Sequence, residues 1–477
     1  MERILTAAQM RIADEFTINN LGVSKEELVY RAGKCVAGEV LARFKGGRVL
    51  VCIGKGNNGE DGKIIAEILS KKHGFSVATV NVYNGIFKIF DSKFDIIIDC
   101  IFGTGLNRVV EGKYRTAIEK INQSGAYVIA CDIASGLNGD NGKVMGIAVK
   151  ANLTVAIQEY KLGHFLCDGP NYSGEVLAKD IGISIWGDDY VKRLTSETVK
   201  KYFIPTNRTV NKGDFGKVAV IGGSKKYSGS VILSLNALSA LKMGNGYSNL
   251  VVPDCLFSSC VGLNPECILT ACKDDGCTLV FDENVLKPLL KYDSVSIGMG
   301  VGVTEEIYKI ISYFLSNYEG VLLVDADGLN SLAKFGIEIL LNKKCRVVLT
   351  PHIGEFSRLT KTDKTDILWD TISVAKDFAE KYDVTLVLKN AVSVITDGKE
   401  IFLNTTGCSG MAKGGSGDVL SGVTAGILAK CDDVCEASAC ACYLVGRAGE
   451  IAEAQQNQFT VTASDIVASM AKAINSL

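Results

Sequence analysis

The run Gly414-Gly415-Ser416-Gly417-Asp418-Val419-Leu420 sets three glycines and one carboxylate directly ahead of a helical pattern. Glycines let a backbone approach an anion closely, and the free N–H groups at the start of a helix, with its positive dipole end, stabilise negative charge. Asp418 at that junction is placed to act as a base toward a hydroxyl that attacks a phosphate. A plain glycine-rich turn with an N-capping aspartate has the same sequence, so the motif alone leaves both readings open.

Outward from that run, short β-branched stretches alternate with helical patterns along all 477 residues. The alternation predicts an α/β protein with parallel sheets and helices on both faces in each half. In the first half the strand candidates are 48–53, 75–83, 94–101, 126–133 and 153–158, with a helix over 63–73 whose Ile64, Ile65, Ile68 and Leu69 share one face. A second series starts with GKVAVIGG (216–223) and continues through SNLVVPD, SVSIGMG, GVLLVDADG, CRVVLTPH and VTLVLKN. A chain this long exceeds one ordinary core, so two domains of roughly 200 to 270 residues are expected. The polar segment DDYVKRLTSETVKKYFIPTNRTVNKGD interrupts the alternation, which puts the boundary near Pro205 and the domains at 1–205 and 206–477.

The formal net charge of −2 offers no basic footprint for nucleic acid or anionic lipid. The N-terminus MERILTAAQMRIADEF lacks an apolar signal core, and no apolar run approaches the ~20 residues of a membrane span. These features predict a soluble, cytoplasmic protein with small-molecule partners. The 16 cysteines are scattered through apolar runs such as VLVCIG and YVIACDI, as reduced, small hydrophobes are. Cys431, Cys435, Cys440 and Cys442 lack the paired Cys-x-x-Cys spacing of a zinc site.

Gly54-Lys55-Gly56-Asn57-Asn58-Gly59 formally satisfies the G-x-G-x-x-G dinucleotide pattern. The next strand nevertheless ends in Tyr83-Asn84-Gly85, without the acidic residue that holds a ribose, and no Gly-Lys-Ser/Thr follows for a Walker loop. Two further loops, beginning at Asp99 and Asp132, share its glycine-and-carboxylate character. Ligands of open parallel sheets sit beyond the carboxyl ends of the strands, so all three loops should converge on one site.

The motifs GKGNNGEDG, DCIFGTGLNR and CDIASGLN resemble those of the N-terminal NAD(P)HX epimerase family, over about residues 1–205. The resemblance implies a Rossmann-like three-layer domain that interconverts the R and S epimers of hydrated NADH and NADPH (NADHX and NADPHX) at C6. It also implies a potassium ion held by Asn58, Asp99 and Ser135, hard oxygen ligands that suit such a cation. The substrate would be held by Asn57, Asn58, Gly59, Glu60 and Asp61, by Gly103, Thr104, Gly105, Leu106, Asn107, Arg108 and Val109, and by Asp132, the candidate proton-transfer residue. Glu60 and Ala134 depart from the family's glycine and proline; Glu60 adds bulk and charge beside an anionic ligand.

In the second half, KGDFGKVAVIGGS, IGMGVG, VDADGLN, TPHIGE, LKN and NTTGCSGMAKGGSGDVLSG follow in the order of the ADP- or ATP-dependent NAD(P)HX dehydratases, a ribokinase-like three-layer fold. The resemblance implies phosphorylation of the C6 hydroxyl by a nucleotide, then elimination to NAD(P)H. Asp418 would take the hydroxyl proton, and the 414–417 amides would stabilise the transferred phosphoryl group. Held at a helix N-terminus, Asp418 should stay ionised and act as a modest base. Ser230, Gly302, His352 and Asp418 would contact substrate; Lys389, Asn390, Ala391, Val392, Ser393 and Gly417 would contact the nucleotide, which brings Mg2+. Asp325 is expected to order the site from its loop, Asp327 to cap the following helix, and Glu355 to serve as a cap partner.

Met299, Ser230, Asn390 and Val445 depart from family residues, and Asn390 puts a side chain where glycine would let a backbone come close to the nucleotide. ADP is the expected nucleotide and a homo-oligomer the expected assembly, both on the resemblance. Two other readings remain: a ribokinase-like small-molecule kinase with a regulatory N-terminal domain, and an N-terminal binding module without catalysis. The N-terminal NNGEDG, FGTGLNR and DIASGLN set, which a simple kinase does not need, argues against the first, and the retained Asn58, Asp99, Asp132 and Ser135 argue against the second.

Overall fold

The computed structural model describes residues 1–85, 87–187, 189–204, 207–238 and 242–477. It divides into two compact units, one of Arg3–Val191 and one of Met1–Glu2 with Lys192–Leu477. Pro205, where the sequence suggests a boundary, lies outside the described residues.

The first unit is built on six parallel strands in the order Phe75–Asn81, Gly47–Ile53, Ile96–Cys100, Tyr127–Cys131, Leu153–Ile157, Glu175–Lys179. Successive strand residues point to opposite faces. Val49, Val51 and Ile53, with Ile96 and Ile98, enter one core, whereas Leu50, Cys52 and Ile97 enter another beneath helix Gly112–Gln123. Burial on both faces explains why these strands read as continuous apolar runs rather than alternating ones. The chain reverses its direction of travel across the sheet at Gly47–Ile53, so the crevice beyond that strand and Ile96–Cys100 is a topological switch point.

Helix Asn57–Ser70 begins six residues ahead of the predicted start at 63, because its first turns absorb the polar NNGEDG segment. Two glycines make that entry possible. A Cβ on Gly54 would lie 1.9 Å from the carbonyl oxygen of Ile101, and one on Gly59 would lie 2.1 Å from the carbonyl oxygen of Gly54.

The second unit carries seven parallel strands in the order Ile268–Cys272, Tyr247–Pro253, Lys217–Ile221, Ser294–Ile297, Val321–Val324, Arg346–Leu349, Thr385–Leu388. The expectation of wholly parallel sheets fails at the next two strands. Ser393–Thr396 and Ile401–Asn404 run antiparallel, each to the strand before it. A parallel crossover needs a dozen or more residues, and 389–392 and 397–400 are far too short to make one. Asp397-Gly398, with Gly398 at φ 91°, turns the second hairpin. Helix Ser416–Leu428 starts within the GGSGD run and carries Asp418 in its first turn.

Gly59→Ala should destabilise the first unit by about 1–3 kcal/mol through overpacking against backbone, read as a lowered denaturation midpoint. Gly105→Ala, where a Cβ meets no atom within 4 Å, should leave that midpoint unchanged.

Candidate functional sites

In the first unit the three motif loops meet around a cavity of about 810 Å³. Asn57, Asn58, Asp61, Gly103, Thr104, Gly105, Leu106, Asn107, Arg108 and Asp132 line it. Gly59, Glu60 and Val109 are not on its wall: Gly59 packs against Gly54, Glu60 pairs with Lys63 at 2.8 Å on an exposed helix face, and Val109 is exposed. The ion pair turns the Glu60 charge toward solvent.

Asp132 sits just past strand Tyr127–Cys131 in a left-handed conformation, φ 68°, uncommon for a residue with a side chain. Its neighbours hold it there. Oδ1 accepts hydrogen bonds from the Lys161 ammonium at 2.5 Å and from Ile157 N–H at 3.1 Å. The backbone N–H of Lys161 donates to His164 Nδ1, which leaves Nε2–H to donate to the Asp132 carbonyl at 2.8 Å. Burial lowers His164 to about 4, so the ring stays neutral and keeps this tautomer. Sequence reasoning missed Lys161, a buried lysine on the cavity wall, and Asp14, which reaches the same cavity from helix Ala7–Leu21.

Burial, then the neighbouring Asp132 and Asp14, push Asp61 up to about 8. Burial likewise raises Asp14 to about 6, opposed by Lys161.

Asn58, Asp99 and Ser135 form one buried oxygen-rich cluster beside the cavity. Ser135 Oγ donates to Asp99 Oδ1 at 2.7 Å and accepts from Phe102 N–H at 2.8 Å. Asn58 Nδ2 donates to the carbonyls of Phe102 and Cys131, at 2.8 and 3.1 Å, while its buried Oδ1 has no hydrogen-bond partner. A buried acceptor left unpaired costs free energy, and a hard cation would satisfy it; these donors fit potassium.

In the second unit the predicted residues lie past the carboxyl ends of four adjacent strands, at the start of helix Ser228–Leu238 and at helix Ser416–Leu428. Lys389, past Thr385–Leu388, donates to Asp325 Oδ1 at 2.8 Å, and Ser421 Oγ donates to Asp325 Oδ2 at 2.5 Å. Asp325 therefore fixes the ammonium close to Gly417, where a Cβ would lie 3.5 Å from Lys389 Nζ. Asp327 does not cap its helix. It lies inside the first turn of Ala326–Phe335 and accepts from Gly302 N–H at 2.8 Å.

Asp418 hydrogen-bonds to Ser230, and its burial beside Asp325 raises it to about 7. Burial thus overrides the helix N-terminus and makes Asp418 a stronger base than the sequence suggests. His352 pairs with Lys389 in a parallel bridge and caps helix Ile353–Thr360, its Nδ1 accepting from Gly354 N–H, while Glu355 accepts from His352 N–H. Asn390 and Ala391 are exposed, Val392 is half-buried and Ser393 opens a strand. Met299 and Val445 are buried core residues. All sixteen cysteines are free thiols.

Residues 218–472 match the NAD(P)H-hydrate dehydratase family model, and 25–86 with 81–163 match the YjeF-related protein N-terminus model. The bifunctional NAD(P)H-hydrate repair enzyme Nnr of Thermofilum pendens is 32% identical across 100% of this chain and 97% of its own length. That of Archaeoglobus fulgidus is 31% identical, covering 98% of both. The chain belongs to the bifunctional NAD(P)H-hydrate repair enzyme family. A Bacillus subtilis ADP/ATP-dependent NAD(P)H-hydrate dehydratase, co-crystallised with ATP/Mg2+, shares the fold of the repair enzyme's second unit, at TM-score 0.51 and 23% identity over 60% of this chain and 98% of that one. An Enterococcus faecalis ribokinase-like superfamily protein aligns at TM-score 0.52 and 25% identity, over 60% and 96%.

The raised Asp61 gives the repair enzyme a pH signature in stability. The fold prefers the protonated carboxyl, so this contribution is complete below the ordinary carboxyl value and is lost as pH rises through about 8. Asp61→Asn should flatten the fall in melting temperature of the first unit between about pH 4 and about pH 8. Thermal denaturation across that range checks it, and an unchanged slope would count against a protonated Asp61.

Proposed function

We propose that the chain repairs hydrated nicotinamide cofactors in two steps: the first unit interconverts R- and S-NAD(P)HX, and the second dehydrates the S epimer to NAD(P)H while ADP gives AMP and phosphate. The supporting observation is that both sets of motif residues, from segments far apart in sequence, converge at strand ends within their own units.

In the second unit the difficulty is a poor leaving group. Hydroxide leaves C6 slowly, whereas phosphate leaves readily, so the nucleotide's terminal phosphoryl group is first moved to the C6 oxygen. Asp418 takes the hydroxyl proton, and its raised affinity for protons suits that role. The ammonium of Lys389, fixed by Asp325, and the amides at the start of helix Ser416–Leu428 face the charge that builds on the phosphoryl oxygens. Phosphate then departs with the C6–O electrons, and loss of a C5 proton restores the dihydropyridine. Magnesium enters on the nucleotide and neutralises phosphate charge when bound.

In the first unit Asp132 is the proton-transfer residue, held ready by Lys161 and the neutral His164. Asn58, Asp99 and Ser135 would hold potassium, whose charge keeps the oxygen-lined loops in register beside the cavity. Partners on this reading are NADHX and NADPHX, with further copies of the chain and without nucleic acid or membrane. Among the described residues no helix is long and apolar enough to cross a bilayer. The free thiols fit a cytoplasmic setting.

The test is recovery of NADH absorbance from purified S-NADHX with ADP or ATP and Mg2+. Wild type should regenerate NADH with ADP, and Asp418→Asn should lose at least about 100-fold in rate, the lower range for a general base. No recovery with either nucleotide would overturn the dehydratase reading and favour the small-molecule kinase.

A further inference from the structure

The C6 carbon of the hydrate is a carbinolamine carbon, bonded to both N1 and a hydroxyl. Inverting it by exchange of oxygen requires the hydroxyl to leave one face of the ring and water to enter the other. A leaving hydroxyl needs a proton donor, an entering water needs a proton acceptor, and the two are wanted on different sides of a flat intermediate. One carboxyl group fixed by the fold serves one side.

The cavity of the first unit offers a second carboxyl. Asp61 projects from helix Asn57–Ser70, whereas Asp132 follows strand Tyr127–Cys131, so the two reach one cavity from different elements. Their states differ. Asp132 is committed to Lys161 and Ile157, as the carboxylate of an ion pair. Asp61 is buried, and its one hydrogen-bond contact among the described residues is the weak donor Cys131 Sγ at 4.0 Å. The charges acting most strongly on Asp61 are those of Asp132, Asp14 and Glu60, opposed by Lys25; the thiols of Cys100 and Cys131 lie close, and Arg11, Lys55, Arg108 and Lys161 line the same cavity. Burial is the main reason Asp61 resists a negative charge, and the neighbouring carboxyls add to it. A carboxyl kept neutral beside an ionised one is the arrangement that separates acid from base in one site.

We propose that Asp61 is a second catalytic residue of the epimerase cavity, the acid that delivers a proton to the departing C6 oxygen while Asp132 accepts one from the incoming water. The assignment rests on the epimerase reading of the first unit. The C6–O bond breaks, and its electron pair leaves on the oxygen, which takes the Asp61 proton and departs as water. The N1 lone pair forms an N1=C6 double bond. Water then adds to the opposite face of C6, forming a new C6–O bond and giving its proton to Asp132. Exchange with solvent returns that proton to Asp61, and the opposite inversion uses the same two groups in exchanged roles. Lys161 is a positioning residue here, acting through Asp132.

The experiment uses the full chain with purified R-NADHX, K+ and no nucleotide, so that inversion is followed alone by chromatography in water enriched in oxygen-18. Wild type should form S-NADHX faster than the uncatalysed control, gain one solvent oxygen per inversion, and lose rate as pH rises through about 8. Asp61→Asn should lower kcat by about 10²–10⁴-fold and abolish the alkaline limb. Asp61→Glu, which keeps a proton on a longer arm, should restore part of the rate together with that limb, and it remains informative if Asp61→Asn fails to fold. Inversion without uptake of solvent oxygen, or an Asp61→Asn enzyme as fast as wild type, overturns the proposal while leaving the epimerase reading intact. A wild-type chain no faster than the control overturns both.

Discussion

Both sites depend on one constraint: a parallel strand buried on both faces can expose functional groups only at its ends. In the first unit, Asp99 and Asp132 stand at or just past the carboxyl ends of Ile96–Cys100 and Tyr127–Cys131. In the second, Asp325, His352 and Lys389 occupy the same position on three adjacent strands. The strand interiors are apolar because helices cover both faces, so ionisable groups collect where the sheet stops and a loop begins. Convergence of distant motifs is then a consequence of strand order, and the sheet supplies the rigidity that positions them.

Burial at these strand ends sets the chemistry. Each unit places a carboxyl where water is largely excluded and other carboxyls stand near, which raises Asp61 to about 8 and Asp418 to about 7. Each also ties a neighbouring carboxylate to a lysine: Asp132 to Lys161 and Asp325 to Lys389. An ion pair of this kind is weak evidence for stability, because desolvation offsets much of the attraction. Its consequence is positional. The ammonium holds one carboxylate in place beside a second carboxyl whose affinity for protons is raised.

Most of this was legible in the sequence where a motif compressed the information into a few neighbouring residues. NNGEDG, FGTGLNR and GGSGDVL announced glycine-supported turns with polar groups, and the structure brings them to strand ends. Long-range placement was not legible. Lys161 and Asp14 carry no local signature, and their approach to Asp132 and Asp61 depends on how separate segments pack. The helix start at Asn57 was hidden because its first turns are polar and only later ones show apolar periodicity. The hairpin over 385–404 was readable from connection length and Asp397-Gly398, signals that outweigh the apolar pattern shared by parallel and antiparallel strands.

The central claim is that one chain holds two separate sites that act in turn on one damaged molecule. Complementation tests it most directly: NADH recovered from an equal mixture of R- and S-NADHX by Asp132→Asn alone, Asp418→Asn alone, and both together. The account predicts rapid recovery of half the material by the first, none by the second, and rapid recovery of all of it by the mixture, since each variant keeps the site the other lacks. Recovery by the mixture no greater than by Asp132→Asn alone would contradict it.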